Sequence, residues 1–190
     1  MKFDEIITPL KDGKIGVIPT DTIYGIVGSA LNPGTIEKIY KLRKRAKDKP
    51  FIILISSVED LEKFGITLTQ KQKDFLNRYW PNPLSVVLPV VGEKWKYLHR
   101  GTKSLAFRIP KDEKLLKLLK RVGPLVAPSA NYEGGKPSQN LDEAKKYFGD
   151  NINFYVNGGE IKSSPSTLIK LNDDGSYIVL RQGNYGKIQS

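Results

Sequence analysis

An α/β fold in one domain is what this sequence predicts. Three observations carry that expectation: six to eight short apolar runs of strand character, amphipathic helical patterns interleaved with them, and a late hairpin signal. The 190 residues suit a single domain over 1–190, on the usual size of roughly 100 to 200 residues. Interleaved strands and helices that end in a hairpin call for a sheet mixing parallel and antiparallel neighbours.

The elements follow in order. Phe3, Ile6, Ile7 and Leu10 recur at helical spacing and Gly13 closes the pattern, so the chain opens with a short amphipathic helix. KIGVIP reads as a strand, PTDT as a polar turn, and IYGIVGSA resumes apolar character. Asn32 and Pro33 start a helix whose apolar side holds Ile36, Ile39 and Tyr40 and which ends in RKRAKDK. FIILI is a buried strand between Pro50 and the pair Ser56-Ser57. SSVEDLEKFG and TQKQKDFLNRYW are capped helices, the second with Thr69 as its N-cap and stopped by Pro81. SVVLPV, SLAFRI, PLVAP, INFYV, STLIKL and SYIVLR are further strands, with helices KDEKLLKLLKR and LDEAKKYFG among them. NDDG joins the last two strands as a hairpin, which makes that end of the sheet antiparallel.

Composition narrows the chemistry. Thirty-one Lys and Arg against 20 Asp and Glu give a net charge of +11, which favours phosphate-bearing partners such as nucleotides or RNA. Without cysteine there is no disulfide framework, thiol nucleophile or cysteine zinc site, and the single histidine, His99, leaves little room for a histidine metal centre. The N-terminal segment carries Asp4 and Glu5, unlike a targeting peptide, and no run approaches the roughly 18 apolar residues of a membrane span. A soluble, cytoplasmic protein with no membrane partner is expected.

Five groups of residues are candidates for function. In IPTDTIYG a strand runs into Thr20, Asp21 and Thr22, small polar groups able to orient a ligand, although the same residues also form ordinary turns. Arg43, Lys44, Arg45, Lys47 and Lys49, with few balancing acids among them, lead into a buried strand and could neutralise a polyphosphate or simply decorate a solvated helix end. Ser104 and Arg108 share one face of a strand about 13 Å apart, and an Arg ending an apolar strand suits a carboxylate or an exposed edge. The loop from Ala127 through Ser129, Asn131, Gly134 and Gly135 to Ser138 has the small residues that let backbone amides approach phosphate, as well as those of a plain loop. Ser166 and Thr167 open one strand of the hairpin and Arg181 ends the other, so pairing brings them to one end of the sheet.

Taken together, IPTDTIYGIVGSA, KLRKRAKDKPFIILI, YWPNPLSVVLP, SLAFRIP, PLVAPSAN, PSTLIKL and VLRQG resemble the YrdC-like family, the L-threonylcarbamoyladenylate synthases, across nearly the whole chain. The resemblance implies a twisted, open mixed sheet with a concave basic cavity. It implies synthesis of L-threonylcarbamoyl-AMP from L-threonine, bicarbonate and ATP, with release of pyrophosphate, for threonylcarbamoyladenosine in tRNA. Its threonine contacts fall on Thr22, Arg108, Ala127 and Ser166. Its ATP contacts fall on Arg43, Arg45, Lys49, Ser104, Ser129, Asn131, Ser138 and Arg181, with Arg43 in the place of a motif lysine. Mg²⁺ would arrive mainly on the ATP phosphates. Downstream stands the threonylcarbamoyl transferase machinery, with tRNA or double-stranded RNA as a further partner. Three departures stand out: Leu54 where many relatives have His, Lys49 for a frequent Asn, and a loop one residue longer before Ser138. The sequence stops soon after Arg181, as in the short, single-domain form of the family.

No protein nucleophile is needed if a threonine carbamate attacks ATP, so catalysis would rest on positioning and electrostatics, with Arg45 and Arg108 foremost. Two rivals remain: an RNA-binding protein of the same fold, and a paralogue with a different carbamoyl-adenylate activity.

Overall fold

The computed structural model describes residues 1–46, 48–186 and 188, so Lys47 of the basic cluster lies outside the described residues. Nine strands form one open sheet, β1 (Gly16–Ile18), β2 (Gly25–Ser29), β3 (Ile52–Leu54), β4 (Leu84–Pro89), β5 (Ser104–Arg108), β6 (Leu125–Val126), β7 (Phe154–Tyr155), β8 (Thr167–Leu171) and β9 (Tyr177–Arg181). Their order across the sheet is β7-β1-β2-β6-β3-β5-β4-β8-β9. The β1/β7, β3/β5 and β4/β8 neighbours are parallel and the others antiparallel, including the β8/β9 hairpin. The count exceeds the six to eight expected because IYGIVGSA, read only as resuming apolar character, supplies β2, while PLVAP and INFYV pair over just two residues each.

The helices are α1 (Ile7–Lys11), α2 (Pro33–Arg43), α3 (Gln70–Tyr79), α4 (Lys96–His99), α5 (Glu113–Val122) and α6 (Leu141–Phe148). Side-chain caps start four of them: Asn32, Thr69, Asp112 and Asn140 each accept from a backbone N–H three residues on. SSVEDLEKFG forms a 3₁₀ helix over Val58–Phe64 rather than an α-helix, begun by a capping box at Ser57. The turn Glu93–Trp95 and α4 have no counterpart in the expected elements, since WKYLH is too short to show a period. Trp95 anchors that piece against Phe64, ring centroids 5.0 Å apart.

Strand alternation sorts the side chains into two layers. Val17, Ile26, Ile53, Val86, Phe107, Val126 and Ile169 belong to a large core with Ile36 and Ile39 of α2, Leu76 of α3 and Phe148 of α6. On the opposite face, Ile18, Val27, Leu54 and Leu125 make a smaller core with Ile6, Ile7 and Leu10 of the N-terminal segment and Leu115, Leu118 and Leu119 of α5. That second cover reaches only part of the sheet. Where it stops, the same face carries Ser85, Ala106 and Arg108 in place of large aliphatics, and a cleft lined by Ala106, Arg108 and Leu168 opens there.

Candidate active site

The cleft encloses about 800 Å³, part of it continuous with solvent. Thr20, Thr22, Arg43, Arg45, Phe51, Ile52, Ala106, Arg108, Ala127, Ser129, Ser166, Leu168 and Arg181 line it, drawn from seven separated segments. Sheet order explains the convergence: β2, β6, β3, β5, β4, β8 and β9 are consecutive neighbours, and much of the lining comes from β3, β5, β8 and β9, from the segment after β6 and from the turn that precedes β2.

At the deep end, Arg108 closes β5 with only 4% of its surface exposed. Its Nη1 donates to Thr22 Oγ1 (3.2 Å), and its Nη2 lies 3.1 Å from Asp21 Oδ1. That ion pair is close but misaligned for a hydrogen bond, so Asp21 Oδ1 and Arg108 Nε are both buried without a hydrogen-bond partner. Burial pushes the Arg108 guanidinium down from its ordinary value and nearby Arg181 adds to this, while Asp21 opposes both. An arginine stays cationic through such shifts at neutral pH. The turn is held by Thr20, whose Oγ1 donates to the Ile23 carbonyl (2.7 Å) and accepts from the Thr22 N–H (3.2 Å).

Ser166 is also buried, its hydroxyl 2.8 Å from that of Ser85 on β4. Ser85 carries no expectation from sequence, because a serine in an apolar strand shows nothing of what faces it. Arg181 Nη2 donates to the Ser166 carbonyl (2.8 Å), as the hairpin pairing anticipates. Gly183, the last residue of LRQG, packs on this segment so tightly that a Cβ would fall 2.2 Å from the Pro165 carbonyl oxygen. Only glycine fits there, and its N–H donates to Thr167 Oγ1 (3.0 Å).

At the mouth, the basic cluster divides by backbone turn. Lys44 ends α2 in the left-handed conformation (φ 52°) and reverses the chain. Arg43, before the turn, is buried: its Nε donates to the Asn131 carbonyl (3.0 Å) and its Nη2 to Ser129 Oγ (3.1 Å) and Asn131 Oδ1 (3.3 Å). Burial, with Arg45 close by, lowers its pKa to about 10. Lys44 lies over the Tyr132 ring and Arg45 over Phe51, which itself stacks on Tyr40. Lys49 pairs with Glu133 (2.8 Å), whose other oxygen accepts from the Ala46 N–H (2.6 Å). One acid therefore reaches the cluster, from 84 residues away, and it pairs with Lys49; among the described residues no ion pair holds Arg43, Lys44 or Arg45.

Eight of the expected site residues meet in the cleft: Thr22, Arg43, Arg45, Arg108, Ala127, Ser129, Ser166 and Arg181. Lys49, Ser104, Asn131 and Ser138 are not in its lining. Ser104 sits two residues down β5 from Ala106, at the Pro89 pairing. Asn131 props Arg43, with its own amide on the Tyr132 and Gly135 carbonyls, and Ser138 gives its hydroxyl proton to the Ala130 carbonyl. The Gly135 amide closes a turn on the Tyr132 carbonyl instead of facing the cleft. His99 is buried outside the lining, its Nδ1 accepting from the Gly101 N–H (3.1 Å). Leu54, in the family's histidine position, belongs to the core under α5. No cluster of three metal-ligating side chains occurs among the described residues.

Several known proteins share this sequence and geometry. A threonylcarbamoyl-AMP synthase from Pyrococcus abyssi is 31% identical over 166 residues, covering 86% of this chain and 49% of that protein. A putative threonylcarbamoyl-AMP synthase from Methanocaldococcus jannaschii is 31% identical over 180 residues, 90% of this chain and 81% of the relative. The crystal structure of P. abyssi Sua5 complexed with L-threonine superposes with a TM-score of 0.86 at 30% identity, over 95% of this chain and 54% of that one. The E. coli YciO structure, 20% identical, shares the fold with a TM-score of 0.83 over 95% of this chain and 88% of its own. The chain spans about half the length of the P. abyssi protein. The family model of Sua5, YciO and YrdC proteins, described as telomere recombination, matches residues 8–183, and the chain belongs to that family.

Proposed function

We propose that this chain makes L-threonylcarbamoyl-AMP from L-threonine, bicarbonate and ATP, releasing pyrophosphate. The observation that carries this reading is the buried Arg108, with an unpartnered Nε and the Thr22 hydroxyl beside it, at the deep end of a cleft whose other cations are Arg43, Arg45 and Arg181. A small carboxylate suits the first group and a polyphosphate the second. The synthases among the relatives, and the threonine held by the P. abyssi protein, agree with that division.

In this reading Arg108 and Thr22 take the threonine carboxylate, and Ser166, set by Ser85, faces the rest of the amino acid. The threonine amine adds to bicarbonate with loss of water, giving a carbamate. A carbamate oxygen attacks the α-phosphorus of ATP, the bond to the β-phosphate oxygen breaks, and pyrophosphate departs. Arg45, Arg181 and, from behind Ser129, Arg43 neutralise the charge that grows on the leaving group. ATP would enter as its magnesium complex, the ion held mainly by phosphates and water. Lys49, Ser104, Asn131 and Ser138 complete the assigned nucleotide side, Asn131 by holding Arg43 and Ser138 by holding the loop. The product would supply a threonylcarbamoyl transferase acting on tRNA, in the cytoplasm; no helix among the described residues is long and apolar enough to cross a membrane.

The test is pyrophosphate release with each substrate omitted in turn, with the adenylate followed by mass. Release should require threonine and bicarbonate together. Release undiminished without threonine would overturn the synthase reading, and no release under any condition, with RNA retained, would favour the RNA-binding alternative that the +11 charge also permits.

A further inference from the structure

Asp21 has no part in the assignments above, and its surroundings are unusual. Its side chain is 6% exposed and faces Arg108, itself 5% exposed at the side chain, across 3.1 Å. Oδ2 accepts the Lys111 N–H (3.1 Å), three residues beyond Arg108, which fixes the carboxylate to the loop that leaves β5. Oδ1 has no hydrogen-bond donor. A turn needs no such arrangement: Thr20 already closes it through the Ile23 carbonyl. Toward Arg108 the carboxylate makes no hydrogen bond, so what it supplies there is charge.

The charge count at the deep end gives that a meaning. Arg108 is +1 and Asp21 is −1. Arg181, the other cation felt at Arg108, belongs to the nucleotide side in the proposed reaction, where ATP phosphates neutralise it. With nucleotide bound, the deep pocket is close to neutral overall. A ligand bearing a carboxylate alone would place a net negative charge in a desolvated site. One bearing a carboxylate and an ammonium would not.

We propose that Asp21 is a specificity-determining residue: its buried charge, set against Arg108, selects zwitterionic amino acids over plain hydroxy acids of the same shape. Discrimination of this kind works by penalising the wrong ligand more than by rewarding the right one. The proposal rests on the threonine reading given above.

Binding of three ligands in the presence of a non-hydrolysable ATP analogue tests it: L-threonine (zwitterion), 3-hydroxybutyrate (the same skeleton without the amine, an anion) and L-threoninol (without the carboxylate, a cation). Wild type should bind 3-hydroxybutyrate at least tenfold more weakly than threonine. Asp21→Asn, which keeps the shape and an acceptor for the Lys111 N–H, should narrow that gap at least tenfold and weaken threoninol. Asp21→Glu should keep the wild-type order, and a thermal melt reports whether each variant folds. Equal shifts for all three ligands in Asp21→Asn, or an unchanged gap, would overturn the proposal while leaving threonine binding intact. If Asp21→Asn does not fold, the wild-type ligand series still decides: 3-hydroxybutyrate bound as tightly as threonine overturns the inference. Wild type that binds no threonine overturns this inference and the synthase reading together.

Discussion

The two ends of the cleft are built on opposite plans. At the deep end Thr22, Arg108 and Ser166 are each at most 4% exposed, and hydroxyls on the PTDT turn, β4 and the β8 segment meet around one arginine. At the mouth Arg45 is half-buried and Lys49 and Arg181 exposed, and Lys49 is held by a surface carboxylate it can leave. The difference teaches how one site handles two kinds of ligand. A small amino acid must be told from near-isosteres, which takes desolvated, fixed polar groups whose loss of a partner is expensive. A polyphosphate carries so much charge that solvent-facing cations such as Arg45 and Arg181 can contribute to holding it, with Arg43 fixed by burial behind them.

The largest effect that sharpens this contrast is expected at Arg108. Arg108→Lys keeps a cation beside Asp21 but loses the planar fork, so the threonine constant should rise by about 30- to 150-fold, on the order of 2 to 3 kcal/mol, with the ATP constant little changed. Arg108→Ala should in addition leave Asp21 buried and unpaired, at a cost of about 3–5 kcal/mol in folding stability. Calorimetry with each ligand and a denaturant melt separate the two effects. An unchanged threonine affinity in the Lys variant would break the comparison at its deep end.

Next in size is Arg45→Ala. Removing a partly solvated cation on the Phe51 ring should raise the apparent ATP constant roughly tenfold and slow turnover, with threonine binding unchanged. Stability should fall by no more than about 1 kcal/mol, the scale of an exposed cation–π contact. Initial rates at varied ATP, with a melt on the same sample, check both statements; a loss of threonine affinity instead would erase the distinction between mouth and floor.

Ser85→Ala tests whether the deep end is preorganised as a unit. Ser166 would lose the 2.8 Å partner that fixes its hydroxyl, and about 1 kcal/mol, or roughly fivefold in the threonine constant, is the expected loss. Because Ser85 is not in the cleft lining and its hydroxyl meets that of Ser166, an effect on threonine with none on ATP points to Ser166 as the route.

How much of this was legible in the sequence depends on the distance over which a residue finds its partner. Helix starts at Asn32, Thr69, Asp112 and Asn140 follow from bonds three residues long, and each is written locally. Arg181 beside Ser166 was readable because a hairpin makes register a local matter. Asp21 with Arg108, Ser85 with Ser166, and Lys49 with Glu133 lie 81 to 87 residues apart, joined by a sheet order that places β6 between β2 and β3 and β5 between β3 and β4. Nothing in a single sequence states that order, so the pairing of Glu133 with Lys49 is not legible in it. The family resemblance supplied residue roles, but it names contacts and not the supports behind them; Ser85 and Gly183 lie in the motifs YWPNPLSVVLP and VLRQG, yet what they hold appears only once the backbones are seen to touch.

The smallest expected effect is also a gain. Glu133 holds Lys49 at 2.8 Å and accepts the Ala46 N–H, and these contacts hold its carboxyl below the usual carboxylate range, so it is fully charged at neutral pH and competes with incoming phosphates for the same cations. Glu133→Gln keeps an oxygen for the Ala46 amide and removes the charge. Lys49 then answers only to the nucleotide, and the apparent ATP constant should fall by about two- to fivefold at low ionic strength. In salt near 0.5 M the advantage should vanish, because an exposed pair is screened within a few ångströms there. Threonine binding should not change at either salt concentration, since the bonds of Glu133 go to Lys49 and Ala46 and not to Thr22, Arg108 or Ser166. Pyrophosphate release measured for wild type and variant at both ionic strengths gives the answer. A salt-independent change, or one shared by threonine, would mean that Glu133 shapes the loop rather than the field, and that the mouth is as rigidly organised as the floor.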